Sequence, residues 1–113
     1  MIEIIVYRKD AESIETGFAP HELPQLLANR DNLVWVDMML PSEADRIEAN
    51  AILKDVFHFH QLTIEDAHET RNQPKIEAYS DHLFFILHGV KTETTFSNFV
   101  TKELDGYLGA NYV

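Results

Sequence analysis

The hydrophobic period of this chain changes at Pro74, and that change limits what it can fold into. Past Pro74 the pattern moves toward strict alternation, through Lys75–Ser80, His82–Thr92 and Phe99–Leu108. Alternation sends successive side chains to opposite faces, which is the mark of a strand. The first two segments are expected to pair about Ser80-Asp81, and the third to run as a further strand up to Gly109. Before Pro74 short β-branched runs stand between stretches whose apolar residues fall three and four apart. Ile2–Tyr7 and Leu33–Met38 predict strands. Residues 8–19 read as a loop or hairpin, and Pro20–Ala28 as a short helix with Pro24 in its first turn.

Ser42–Phe57 carries the clearest helical pattern. Ser42 is a cap, Asp45 its capping-box partner, and Ile47, Ile52, Leu53, Val56 and Phe57 the expected buried face. Thr63-x-x-Asp66 repeats the start signal and predicts a second helix reaching about Arg71. The order is strand, helix, strand, two helices, three strands. It predicts an α/β fold, a layered mixed sheet of parallel and antiparallel strands with helices packed on it. Late strands pair as hairpins, whereas the early ones are expected to need helical crossovers. The 113 residues hold no repeat and no linker, so one domain is expected over 1–113.

Charge and cysteine usage narrow the function classes. Nineteen Asp and Glu against nine Lys and Arg give a net charge of -10. Phosphate contacts need clustered bases, so no nucleic-acid partner is expected, and cations are the natural partners. With no cysteine, disulfides, thiol nucleophiles and thiolate metal sites are excluded. The longest apolar run, Leu83–Leu87, is far short of a membrane span, and no leader is visible. A soluble segment is expected. Asn111-Tyr112-Val113 reads as a strand beginning, which points to a truncated polypeptide.

Phosphate loops, nucleophile elbows and HExxH are missing from the sequence. Asp37 ends an apolar strand, where α/β sheets place ligand groups, although a carboxylate there more often caps a loop or pairs with a base. His58, His60 and His68 lie close together with Asp66 and are types that suit zinc. Their spacing fits no standard zinc pattern, so His60 is read as serving backbone at the turn, with the other two partly exposed. His82 and His88 fall on one strand face and are read as packing. Glu65 and Asp66 are adjacent carboxylates in an expected first helical turn, where they complement the helix dipole. Their oxygens also suit a hard cation such as Mg²⁺, which keeps several waters and needs few protein ligands. One chain offers few fixed oxygens, so a site shared between subunits would be the remedy.

Three pieces in order carry a resemblance: Leu33–Asp37 around Trp35; Asp55–Ala67, which includes His60-Gln61-Leu62-Thr63-Ile64-Glu65-Asp66; and Gln73-Pro74-Lys75 with Tyr79 and Asp81–Leu87. Together they resemble the cytoplasmic amino-terminal domain of the CorA family of divalent cation transporters, from about Leu33 to Val113. That family's pattern has proline where this chain has Gln61, and arginine where it has Gln73. The first departure removes a rigid turn residue, the second a possible ion-pair partner for the neighbouring acids.

The resemblance implies a non-enzymatic regulatory domain of a homopentamer in the inner or cell membrane. This domain would lie on the cytoplasmic side, with the stalk helix and two membrane helices in further polypeptide. It implies Mg²⁺ or Co²⁺ as the transported ion, and a regulatory Mg²⁺ between subunits with Asp66 as ligand and Glu65 as a secondary contributor. Zinc-transporting relatives share the domain, which keeps Zn²⁺ open. A soluble zinc-dependent hydrolase and a plain acidic binding module are the readings from other classes.

Overall fold

The computed structural model describes residues 1–69, 73–91, 95, 97 and 100–113. The expected helix end at Arg71 and strand ends at Thr92 and Phe99 lie outside them. Six strands and three helices are described. Strand β1 (Ile2–Arg8) turns into β2 (Ser13–Thr16), and a 3₁₀ turn at Pro20–Glu22 leads into α1 (Leu23–Ala28). Then come β3 (Asn32–Met38) and α2 (Glu43–Ala51), which widens into a π turn over Ile52–Val56. Helix α3 (Gln61–Asp66) precedes β4 (Lys75–Ala78), β5 (His82–Val90) and β6 (Thr101–Gly109).

The strands form two three-stranded sheets, β2-β1-β3 and β4-β5-β6, antiparallel throughout. The expected mixed sheet is therefore only partly realised. β2 and β3 both oppose β1, so they run parallel to each other, and α1 is the crossover between them. β1 fills the gap and turns every direct pairing antiparallel. Among the described residues there is one parallel contact, the bridge Val34–Tyr112, and it joins the two sheets.

Helix α2 forms as expected at its start. Ser42 accepts from the Asp45 amide at 3.2 Å, and the Asp45 carboxylate accepts from the Ser42 amide at 3.1 Å. Asp45 also accepts from the terminal amine of Met1 at 2.8 Å. That amine and the Ser42 hydroxyl hold the Asp45 carboxyl down at about 2. Ser42→Ala should cost about 1 kcal/mol, as cap removal usually does, read as a lower midpoint in urea with the slope unchanged.

Farther on, Ala49, Ile52, Leu53 and Val56 form the inward stripe, while Ile47 is 63% exposed. Ile47 was expected on that face. It precedes Ile52 by five positions, which turns it about 140° away. The π turn closes with the Phe57 amide on the Ile52 carbonyl at 3.2 Å. His58 then stops the helix in the left-handed region, at φ 58°.

Among the described residues, two clusters make the core. Ile4, Val6, Leu23, Leu26, Val34 and Ile52 fill the space between the first sheet and its helices. Leu53, Phe59, Ile64, Phe84, Ile86 and Tyr107 fill the inner face of the second sheet. The outer faces are apolar and exposed: Ile14, Leu33 and Trp35 on the first sheet, Ile76, Leu83, Leu87, Leu104 and Leu108 on the second. Gly106 lets the Phe85 ring lie flat over β6, since a Cβ there would sit 2.2 Å from that ring.

Candidate metal centre

Helix α3 starts three residues earlier than expected, with its cap at His60 rather than Thr63. The His60 ring Nδ1 accepts from the Leu62 amide at 3.1 Å. Thr63 is buried instead and donates its hydroxyl to the His60 carbonyl at 2.8 Å. Thr63 and Ile64 pin the helix to the inner face of the second sheet. Apolar anchoring at the second turn thus overrides the start signal read from Thr63-x-x-Asp66.

The helix is short, and its end moves with its start. Glu65 and Asp66 fall in the last turn rather than the first. At that end the helix dipole repels carboxylates, so the favourable dipole pairing expected for them is absent. Compensation comes from β4. Lys75 Nζ lies 2.8 Å from Asp66 Oδ2 and 2.8 Å from Glu77 Oε1. These two hydrogen bonds raise the Lys75 ammonium above its ordinary range, and Lys75 in turn lowers the Glu77 carboxyl. The ion pair that Gln73 cannot make is supplied by Lys75. Asp66 remains 32% exposed, and Glu65 is exposed, held loosely by Gln61 Nε2 at 3.3 Å.

Sequence reasoning missed the acids of β6. Glu103, Asp105 and Tyr107 lie on the inner face, opposite His88, Ile86 and Phe84 of β5. Burial, then the charge and hydrogen bond of Glu103, push the Asp105 carboxyl up to about 7, with a smaller contribution from Asp66. Burial likewise drives the Tyr107 hydroxyl up to about 12. The period-two spacing of Glu103 and Asp105 with Tyr107 was the available signal, because it places two acids on the same face as an aromatic.

The remaining candidates disperse. His58 and His60 are exposed, and His68 Nε2 lies 2.5 Å from Asn50 Oδ1. His82 is packed face to face with Tyr79 at 4.9 Å, its Nδ1 2.6 Å from Asp81. Asp37 is exposed and faces Glu3 across β1–β3. Among the described residues, no three His, Asp or Glu side chains converge as a metal-binding group.

A family model described as CorA-like Mg2+ transporter protein matches residues 30–104. This chain belongs to that family. It is 34% identical over 79 residues to "Putative metal ion transporter YfjQ" of Bacillus subtilis (strain 168). That match covers 70% of this chain and 22% of the relative, so the chain spans about a fifth of the relative's length. The CorA-like family is one of metal ion transporters and not of enzymes, which favours that reading over a hydrolase. Among the described residues, no helix is long and apolar enough to cross a membrane.

Proposed function

We propose that this chain is the metal-sensing cytoplasmic domain of a CorA-like divalent cation transporter, the domain spanning residues 1–113. In the full-length membrane protein it would work as one of five identical copies. Asp66, with Glu65 beside it, would hold a regulatory Mg²⁺ between neighbouring subunits, and Mg²⁺ or Co²⁺ would be the transported ion. The observation that carries this reading is the placement of Asp66. It is a partly exposed carboxylate at the negative end of a helix, where a cation is favoured, and a metal ion there would share or displace the Lys75 ammonium that lies 2.8 Å from its Oδ2.

The donors fit the ion. Carboxylate oxygens suit Mg²⁺, which retains waters and accepts one or two protein ligands. A set this sparse supports a site completed by the next subunit. The bound ion would supply positive charge at a seam between acidic surfaces. Five copies each carrying -10 repel one another, and an ion that binds only the closed arrangement relieves that repulsion. At a hundredfold excess over Kd, such binding adds about 2.7 kcal/mol per site to the closed state. Loss of the ion then shifts the population toward the open one.

Asp66→Ala in the intact transporter should raise the Mg²⁺ concentration that half-inhibits uptake by about tenfold, equivalent to about 1.4 kcal/mol of lost ion binding. Uptake that stays as sensitive to internal Mg²⁺ as in the wild type would refute the assignment.

A further inference from the structure

Lys75 is held by two acids at once, and the two differ in kind. Its Nζ lies 2.8 Å from Asp66 Oδ2, at the end of α3, and 2.8 Å from Glu77 Oε1, two positions along its own strand. Residues two apart on a strand share a face, so the Lys75–Glu77 contact is built into β4 itself. The Asp66 contact spans two separate elements. Glu77 is fixed on its other side as well, because its Oε2 accepts from the Tyr79 hydroxyl at 3.0 Å.

The three side chains lie where an ion from solution can reach them, Asp66 being 32% exposed, Lys75 34% and Glu77 40%. Beneath them the ammonium sits 5.6 Å from the centroid of the Phe84 ring, which is fully buried. The end of α3 adds the partial negative charge of its carbonyls to that of Asp66. A cation is favoured at this point, and the chain supplies one of its own on a tether. A Mg²⁺ ion arriving at Asp66 meets that ammonium, and two positive charges on one carboxylate repel. The ammonium has somewhere to go. A lysine is a point charge on a flexible four-carbon stem, and Glu77 keeps hold of it when it swings away from Asp66.

We propose that Lys75 is a built-in competitor that sets the Mg²⁺ concentration at which Asp66 takes an ion, with Glu77 as the seat to which the ammonium retires. This rests on Asp66 being the regulatory ligand. The same device favours divalent ions. A monovalent ion brings no more charge than the ammonium it would replace, and it lacks the tether that keeps the ammonium at high local concentration. Mg²⁺ brings a second charge to the helix end. Opposite effects follow for the two partners: removing the charge of Lys75 tightens the site, whereas removing the seat at Glu77 leaves the ammonium on Asp66 and loosens it.

The test uses the purified intact transporter and reads the Mg²⁺ concentration that gives half of the Mg²⁺-dependent rise in melting temperature. Lys75→Met should lower that concentration about fivefold, the scale of a partly exposed ion pair. Lys75→Arg keeps the charge and should stay near the wild-type value. Glu77→Gln should raise the concentration about threefold on its own and leave it unchanged when Lys75→Met is also present. A concentration that is unchanged or raised in Lys75→Met overturns the proposal, since Lys75 would then only brace α3 against β4. An equal effect of Glu77→Gln with and without the Lys75 charge also overturns it, because Glu77 would then be a ligand and not a seat. Asp66→Ala separates the two levels. If it raises the concentration while Lys75→Met does not lower it, the role of Lys75 falls and the metal site stands; if it changes nothing, both fall.

Discussion

Replacing Phe84 with alanine is expected to destabilise the domain by about 3–5 kcal/mol, the usual range for deleting a buried aromatic. Phe84 has no exposed surface and lies in the first half of β5, opposite Tyr107 on β6 and Glu77 on β4. Its ring meets that of Tyr107 at 5.0 Å, and the Lys75 ammonium lies 5.6 Å from its centroid. The cavity left behind would therefore open under both the apolar cluster and the Lys75–Asp66 pair. In a domain whose whole stability is of order 5–15 kcal/mol, this is a drop of roughly 15–25 °C in midpoint. Leu83→Ala, one residue away on the exposed face, should lower it by only a few degrees. Comparable losses for the two variants in thermal melts would show that the inner face of the second sheet is not the core.

The second large effect concerns pH. Asp105 is held up to about 7 by its burial and by Glu103, whereas the unfolded chain has its carboxyl near 3.8. Between those values the folded state keeps a proton that the unfolded state has released. Stability must then fall as pH rises through that interval and level off above it. Asp105→Asn retains the shape of the neutral acid but cannot ionise. The wild-type melting temperature should decline from pH 6 to pH 8, and the asparagine variant should show a flatter profile and be the more stable protein at pH 8. Two profiles of equal slope would show that the wild-type dependence originates elsewhere.

Much of the fold was legible because local and global preferences agree. β1 and β3 are β-branched runs, the Ser80-Asp81 turn joins two alternating segments, and Ser42 with Asp45 is a capping box in sequence and in structure. The misses have distinct causes. Strand direction is not encoded in any one strand's pattern, and β1 can enter between β2 and β3 only once all three exist. Ile47 looked like core because it is apolar, yet only its angular position relative to Ile52 decides its face. At α3 the burial of Thr63 and Ile64 outweighed a plausible cap, and that one shift reversed the electrostatic setting of Glu65 and Asp66. Glu65 and Asp66 stood out in the sequence as a carboxylate pair suited to a hard cation, and resemblance added the expectation of a ligand role between subunits. The Lys75 partner is nine residues from Asp66 and becomes visible only when β4 docks beside α3.

The apolar outer faces have a consequence for how the domain behaves as a solute. Ile76, Leu83, Leu87, Leu104 and Leu108 offer water a continuous greasy surface on one side of the second sheet. Single exposed apolar residues are ordinary, but a patch of this kind is not. What keeps such molecules apart in dilute solution is their shared charge of -10. That repulsion is long-ranged and screened over about 8 Å at physiological ionic strength, while the attraction between faces is short-ranged and is not screened by salt. Colloidal stability and folding stability therefore respond to opposite conditions here. Acid and salt, which ease the crowding of carboxylates within one molecule, bring neighbouring molecules into contact.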